Sequence, residues 1–250
     1  MEKATYQFSL RMGDTCLILS HRLAQLCSKG PYLEEDIALT NISLDLLGGA
    51  DLFLSYAAEL EGKGRTADDL AYRRLETQFY NHLIAERPNG DFAHVILRQF
   101  LHDAFLHPMY SKLKLSKDPQ FAAIAEKGVK ESAYHLRHSS QWIVRLANGT
   151  EESRRRLEKA IEDLWTYTGD MFEHSAEEDE LAKNGVIPMF TEVQAAWKQK
   201  VTEVFGEAGI EVPKDVPMAS GGRKGIHSEY LGHMISEMQY LPRAYPDAKW

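Results

Sequence analysis

The sequence has little cysteine, two residues in 250. Cys16 and Cys27 stand eleven apart on what reads as one helix, a separation of about 16 Å at 1.5 Å per residue. No disulfide joins them across that distance. Reduced, buried thiols are expected, because free cysteine is among the most buried side chains. Basic residues are not in excess: 29 Lys and Arg face 37 Asp and Glu, a net charge of −8. That argues against a general nucleic-acid binder, which carries a basic face. The opening residues MEKATYQFSL lack the basic-then-apolar order of a leader. No run of about 18 apolar residues is present to span a membrane. A cytoplasmic chain without membrane contact is therefore expected. Internal repeats, low-complexity tracts and strand-like alternation are missing. So is any nucleophile-elbow context around Ser139-Ser140. His94, His102 and His107 do not have the spacing of a His-x-x-x-His metal pair.

What is there is helical periodicity and enough apolar surface for a core. Apolar residues make up 44% of the chain and charged ones 26%, the ordinary globular range. The pattern predicts a first helix over residues 6–27, ended by Gly30-Pro31. A second is expected over 33–60. From Ala38 to Ala58 its only charges are Asp45 and Asp51, so it reads as a central helix buried on all sides. A shorter helix is expected over 67–85, before the Pro88-Asn89-Gly90 turn. A third long helix over 92–115 contains Pro108, which should kink or split it. Asp118 and Pro119 form the N-cap and first position of a fourth, running to about residue 146. A fifth is expected over 151–174. A weaker helix follows Pro188 and ends near Gly206, residues 213–225 form a loop, and a last helix covers 229–240. The chain reads as a single domain over 1–250, with a core bundle over about 5–175 and C-terminal helices and a tail over about 188–250. The fold class expected is all-α, a four-helix bundle with additional helices.

Long antiparallel helices raise the question of a di-iron site. Ferritin-like di-iron proteins place a Glu on each of two helices and Glu-x-x-His on each of the other two. Residues three apart share a helix face, so carboxylate and imidazole meet the metal pair from one side. Here the frame lacks its full set. Three residues after Asp45 stands Gly48, and three after Glu131 stands Tyr134, with His135 one position late. Asp103 is a third interior-type acid. The first helix offers only Asp14, with His21 two turns on. Asp45, Asp103, Glu131 and His135 thus read as vestigial di-iron positions: acids paired with Arg, Lys or Tyr inside the bundle, with no metal held. The alternative is an independent di-iron oxidase or oxygenase using those four residues as an atypical ligand set. His135 and His138 read as packed or hydrogen-bonded histidines. The acidic run 177–180 reads as solvated surface. Gly221-Gly222-Arg223-Lys224-Gly225 reads as a hinge, with a phosphate cradle as the alternative.

Several stretches together resemble a known family. They are residues 10–14 (LRMGD), 41–48 (NISLDLLG), 53–60 (FLSYAAEL), 88–90 (PNG), 130–137 (KESAYHLR), 221–227 (GGRKGIH), 237–241 (EMQYL) and the terminal Trp250. Over nearly its whole length the chain resembles the C subunits of bacterial phenylacetyl-CoA epoxidases. The resemblance implies a ferritin-like fold and a structural subunit, itself non-catalytic and without a cofactor. Its partner would be a homologous A subunit that carries the di-iron centre and epoxidises the aromatic ring of phenylacetyl-CoA. A separate reductase would deliver electrons from NADPH. It also implies contact with the CoA end of the substrate, at the subunit interface, through Gln78, Phe79, Tyr80 and Asn81 and through Asp179, Glu180 and Leu181. An aromatic pair flanked by two amides can stack on and hydrogen-bond an adenine. Packing of Phe79 and Tyr80 at the subunit interface is the other reading of the first stretch.

Overall fold

Charged side chains near the start of the chain do not keep its first helix on the surface. The computed structural model describes residues 2–246 and residue 248. In it α1 (Glu2–Ala24) and α2 (Leu33–Glu61) form one pair, and α4 (Phe92–Leu113) and α5 (Pro119–Asn148) form another. Aromatic rings join the two pairs. Phe8 of α1 meets Phe121 of α5 edge-on at 5.3 Å, and Phe53 of α2 stacks on Tyr110 of α4 at 6.2 Å. Gly128 of α5 lets Tyr110 in, because a Cβ there would stand 2.6 Å from the ring. Along the α1–α2 seam, Ser20 and Ser43 each donate a hydroxyl to the other's carbonyl at 2.8 Å.

The remaining helices clothe this bundle. The short α3 (Ala67–Tyr72) lies against α2 and α9. The amphipathic α6 (Glu151–Leu164) packs on α4 and α5. The next two are α7 (Ala176–Lys183) on α1 and α8 (Phe190–Ala208) on α4 and α5. Trp197 of α8 donates its indole N–H to the Leu101 carbonyl at 2.9 Å. The last helix is α9 (Glu229–Ala244). Among the described residues there are nine α-helices and no strand, so the fold is all-α and ferritin-like. Trp250, one of the residues on which the resemblance rests, lies outside the described residues.

Several expectations need correction. The central helices are α1 and α4: residues 8–20 and 95–106 are buried without a break. α2 is not buried on all sides. It leaves Leu33, Ile37, Leu44, Leu47 and Leu52 exposed. By length and composition α2 is apolar enough to cross a membrane, and 44% of its most apolar window is packed inside the fold. The helix expected over 67–85 stops at Tyr72, and farther on Tyr80, His82 and Leu83 send their backbone N–H groups to side chains of other elements. The one expected over 151–174 stops at Leu164 and continues as two 3-10 turns. Pro108 does not split α4, which runs through it. The acidic run is solvated surface only in part: Glu177 and Glu180 are exposed and Asp179 is half-buried, but Glu178 is buried and forms a capping box with Ser175 at the start of α7. Cys16 is buried but Cys27 is exposed, one turn beyond α1. Asp118 and Pro119 open α5 as expected, the carboxylate accepting from the N–H groups of Gln120 and Phe121.

Candidate functional site

Two polar regions concentrate the residues the sequence singles out. The first lies between α2, α4 and α5. Here Asp45 of α2 is bonded to His135 Nε2 of α5 at 2.9 Å, and Glu131 sits 3.7 Å from Lys127. The Asp45 carboxylate remains 36% exposed and that of Glu131 25%. Neither is therefore the buried acid the sequence suggested. Burial and then the Asp45 charge push the Glu131 carboxyl up. Burial pushes His135 down, against the pull of Asp45.

Asp103 of α4 is fully buried, and it faces a different set of neighbours. It accepts from the Gln99 amide at 2.7 Å and the Ser139 hydroxyl at 2.8 Å. With no cation against it, burial drives its carboxyl well above the usual range. Of the three acids, only Glu131 has a partner of the kind expected, a lysine; Asp45 has a histidine instead. The two histidines are hydrogen-bonded as expected, His138 to Glu35 at 2.8 Å.

These residues do not suit a di-iron pair. Gly48 and Tyr134 stand where Glu-x-x-His needs imidazoles. Asp45 is engaged by His135, and Asp103 by Gln99 and Ser139. Among the described residues, no three His, Cys, Asp or Glu side chains meet in a way that could hold a metal ion. Next to them, Cys16 and Tyr110 are fully buried in contact, and burial raises the thiol to about 12.

The second region was not foreseen as a unit. Asp14, on the buried face of α1, binds the Arg74 guanidinium with both carboxylate oxygens and accepts the Tyr80 N–H at 2.9 Å. Arg74 also lies 4.2 Å from the centre of the Phe79 ring. Asp170 takes the N–H of Leu83 at 2.9 Å and of Gly222 at 3.0 Å. Burial raises its carboxyl, and those two donors oppose the rise. Arg11 of α1 donates to the carbonyls of Glu173 and Asp170. Glu178 of α7 receives Arg223 at 2.8 Å and lies 3.9 Å from Arg11.

Glu86 completes this region. It accepts from Asn81 Nδ2 at 3.1 Å, the Ser228 N–H at 2.7 Å and His227 Nδ1 at 2.9 Å. The other nitrogen of His227 is 2.8 Å from the Phe79 carbonyl. An acceptor at each ring nitrogen of His227 favours the imidazolium. Burial opposes both charges, but the bond between them prevails: His227 is raised and Glu86 lowered.

The 221–225 loop is thus neither a free hinge nor an open phosphate cradle. One of its amides is committed to Asp170 and its arginine to Glu178. Gly222 and Gly225 are required because the loop lies on the backbone of residues 77–81. A Cβ on Gly222 would stand 2.5 Å from the Asn81 carbonyl oxygen.

This junction is where the two candidate contact stretches lie. Tyr80 and Glu178, with Gln7, Arg11 and Arg223, line a cavity of about 50 Å³, roughly the liquid share of one or two waters. Phe79, Asn81 and Leu181 are buried, Tyr80 and Asp179 are half-buried, and Gln78 and Glu180 are exposed. The Phe79 ring is spent on Arg74 within this chain. Residues 10–14 and 221–227 are both among the stretches that carry the resemblance. Asp14, Asp170, Glu86 and His227 carry no spacing signal, because they come from segments far apart in sequence.

A family model described as phenylacetic acid catabolic protein matches residues 1–250. The chain is also 46% identical over 243 residues to the C subunit of the 1,2-phenylacetyl-CoA epoxidase of Escherichia coli (strain K12). That alignment covers 97% of this chain and 98% of the relative.

Proposed function

The chain belongs to the phenylacetic acid catabolic protein family, and from that footing we propose that it is the non-catalytic structural subunit of a phenylacetyl-CoA 1,2-epoxidase. The observation that carries this reading is the near end-to-end match to a protein named as the C subunit of that enzyme. The chemistry of the first polar region supports it. Asp45, Asp103, Glu131 and His135 are engaged with one another or with Lys127, Gln99 and Ser139, and Gly48 and Tyr134 replace the histidines a di-iron pair would use.

In this reading the chain is one helical domain that works in the cytoplasm, away from nucleic acid and membranes. Its direct partner is the homologous A subunit, which holds the di-iron centre and carries out the epoxidation of phenylacetyl-CoA. A reductase supplies electrons to that partner. What this chain contributes is a rigid surface rather than a reacting group. Contact with the CoA end of the substrate would fall to the accessible members of the two stretches, Gln78, Tyr80, Asp179 and Glu180, with Phe79, Asn81 and Leu181 setting the backbone beneath them.

The test is co-purification with an A subunit, with iron counted per chain and epoxide formation measured. The isolated chain should bind little iron and leave phenylacetyl-CoA unchanged, and the pair should be stable and active. Stoichiometric iron with turnover in the isolated chain would overturn the proposal. So would a difference in bound metal between wild type and Glu131→Ala.

A further inference from the structure

A groove outside both polar regions is walled by arginine without an acid to match it. It lies between the end of α1, the Pro88-Asn89-Gly90 turn and α9, and its volume is about 610 Å³. Arg22, Gln25, Lys29, Asn89 and Glu237 line it. Arg22 is 8% exposed and donates to the carbonyls of Glu86 and Tyr230 and to Gln25 Oε1. Arg98 of α4 is 1% exposed and donates to the Arg87 carbonyl and to Asn89 Oδ1, both at 2.6 Å. Asn89 ties the two arginines together, since its Nδ2 donates to the Arg22 carbonyl at 2.8 Å. Arg87 lies 4.4 Å from the ring centre of Tyr167 and 4.8 Å from that of Tyr230. Every one of these partners is neutral.

Carbonyl oxygens satisfy the hydrogen bonds of a guanidinium but not its charge, and a buried charge is costly without a counter-charge. Burial, and then the charge of Arg22, pushes Arg98 down to about 9. The neighbouring carboxylate of Glu86 is already held by His227. Donors are also left over. A guanidinium has five N–H groups, and the four bonds of Arg22 leave one hydrogen on Nη1, the nitrogen that meets Gln25. Arg98 Nε has no partner among the described residues. Lys29 is exposed at the rim, on a turn that Asp36 fixes by accepting the N–H groups of Ser28, Lys29 and Gly30 at 3.1, 3.2 and 3.1 Å.

We infer that this groove binds a phosphate group, free or carried on a small organic molecule, with Arg22 and Lys29 as its direct donors and Arg98 as the charge behind them. The inference does not depend on the proposed subunit role. Arg and Lys are the side chains suited to a phosphate, the first through directed N–H groups and the second as a point charge. A dianion matches a place where buried positive charge has gone unmatched. The volume falls within the roughly 300–1,000 Å³ of small-molecule sites, which leaves room for an organic part against Leu26 and Pro88 on the same wall. Glu237 is the carboxylate of that wall. It is exposed, and its charge reaches Arg22 without an ion pair between them. It therefore competes with a bound anion rather than replacing it.

The test titrates inorganic phosphate and phenyl phosphate into the full chain by calorimetry, at an ionic strength held constant with sodium chloride. The variants are Lys29→Gln, Glu237→Gln and, as a control for net charge, Lys198→Gln on α8. All three side chains are exposed, so circular dichroism should show unchanged helix content. Lys29→Gln is expected to weaken binding roughly tenfold or more, the worth of one charge-assisted hydrogen bond. Glu237→Gln should tighten it, because a like charge is removed, and Lys198→Gln should bind as wild type does. Tighter binding of phenyl phosphate assigns an organic phosphate, and equal binding assigns free phosphate; both outcomes support the site. Absence of binding by either probe would overturn the inference, and so would equal weakening by Lys29→Gln and Lys198→Gln. A loss of stability in Glu237→Gln without phosphate binding in wild type would make Glu237 the counter-ion of Arg22 and overturn it as well.

Discussion

The two polar regions treat their carboxylates in opposite ways. Between α2, α4 and α5, Asp45 and Glu131 stay partly in water, and Asp103 is buried without a cation. At the junction of α1 with the 78–86, 170–178 and 221–228 segments, Asp14, Glu86, Asp170 and Glu178 are all buried, and each meets a cation, backbone N–H groups or both. Acids of the first kind tolerate change, because water or a proton can replace the partner. Acids of the second kind hold together segments that have no regular hydrogen bonding of their own. The difference locates the structural role of charge in this chain away from the positions that resemble a metal site.

Four experiments bear on this contrast, from the largest effect expected to the smallest. Asp14→Ala leaves Arg74 buried without its carboxylate and should cost about 3–5 kcal/mol in urea unfolding. A cost near zero would break the contrast outright. Gly222→Ala pushes a methyl onto the Asn81 carbonyl. It should cost about 1–3 kcal/mol, as other overpacked sites do, with the loss read from the same curves.

His227→Gln tests the charge on the imidazole through pH. The folded His227 is raised above 6.5, so its contribution is full below that value and is lost as pH rises through the folded pKa. Folded Glu86 is lowered below 4.5, so its contribution is present above that value and is lost as pH falls through the folded pKa. The stability advantage of wild type over the variant should therefore peak between pH 4.5 and 6.5 and shrink toward alkaline pH. An advantage that grows with pH would show that His227 is neutral. Last, Asp45→Ala should cost no more than about 1 kcal/mol, the range of a solvent-accessible ion pair. A loss equal to that of Asp14→Ala would place Asp45 among the structural acids.

The long helices and most of their ends were legible in the sequence because they rest on local signals. Asp118-Pro119 opened α5, and the period of apolar residues ran through α1, α4 and α5. Burial was less legible. α2 looked central because nearly every residue on it is apolar, yet the same pattern suits a helix with one side against its own fold and the other uncovered. α1 is central although it carries Arg11, Asp14 and Arg22, each of which has a partner at least sixty residues away. The Gly48 and Tyr134 departures could be read directly, because a ligand spacing of three is local. The junction could not, since Asp14, Arg74, Glu86, Asp170 and His227 meet only after five segments have packed. Helical periodicity likewise overran beyond Tyr72 and Leu164: tertiary hydrogen bonds take the N–H groups of Tyr80, His82 and Leu83, and 3-10 turns follow Leu164.

The distance in sequence between Arg11 and its partners has a consequence for how the chain is made. Its guanidinium donates to the carbonyl of Glu173, 162 residues later. At roughly 5–20 residues per second of synthesis, α1 would wait about 8–30 s on the ribosome before that acceptor exists. During that interval α1 can pair with α2 through Ser20 and Ser43, and Asp14 and Arg22 can find Arg74 and the Glu86 carbonyl, but Arg11 has no native partner. The N-terminal hairpin is therefore a half-finished product, and the last third of the chain closes it.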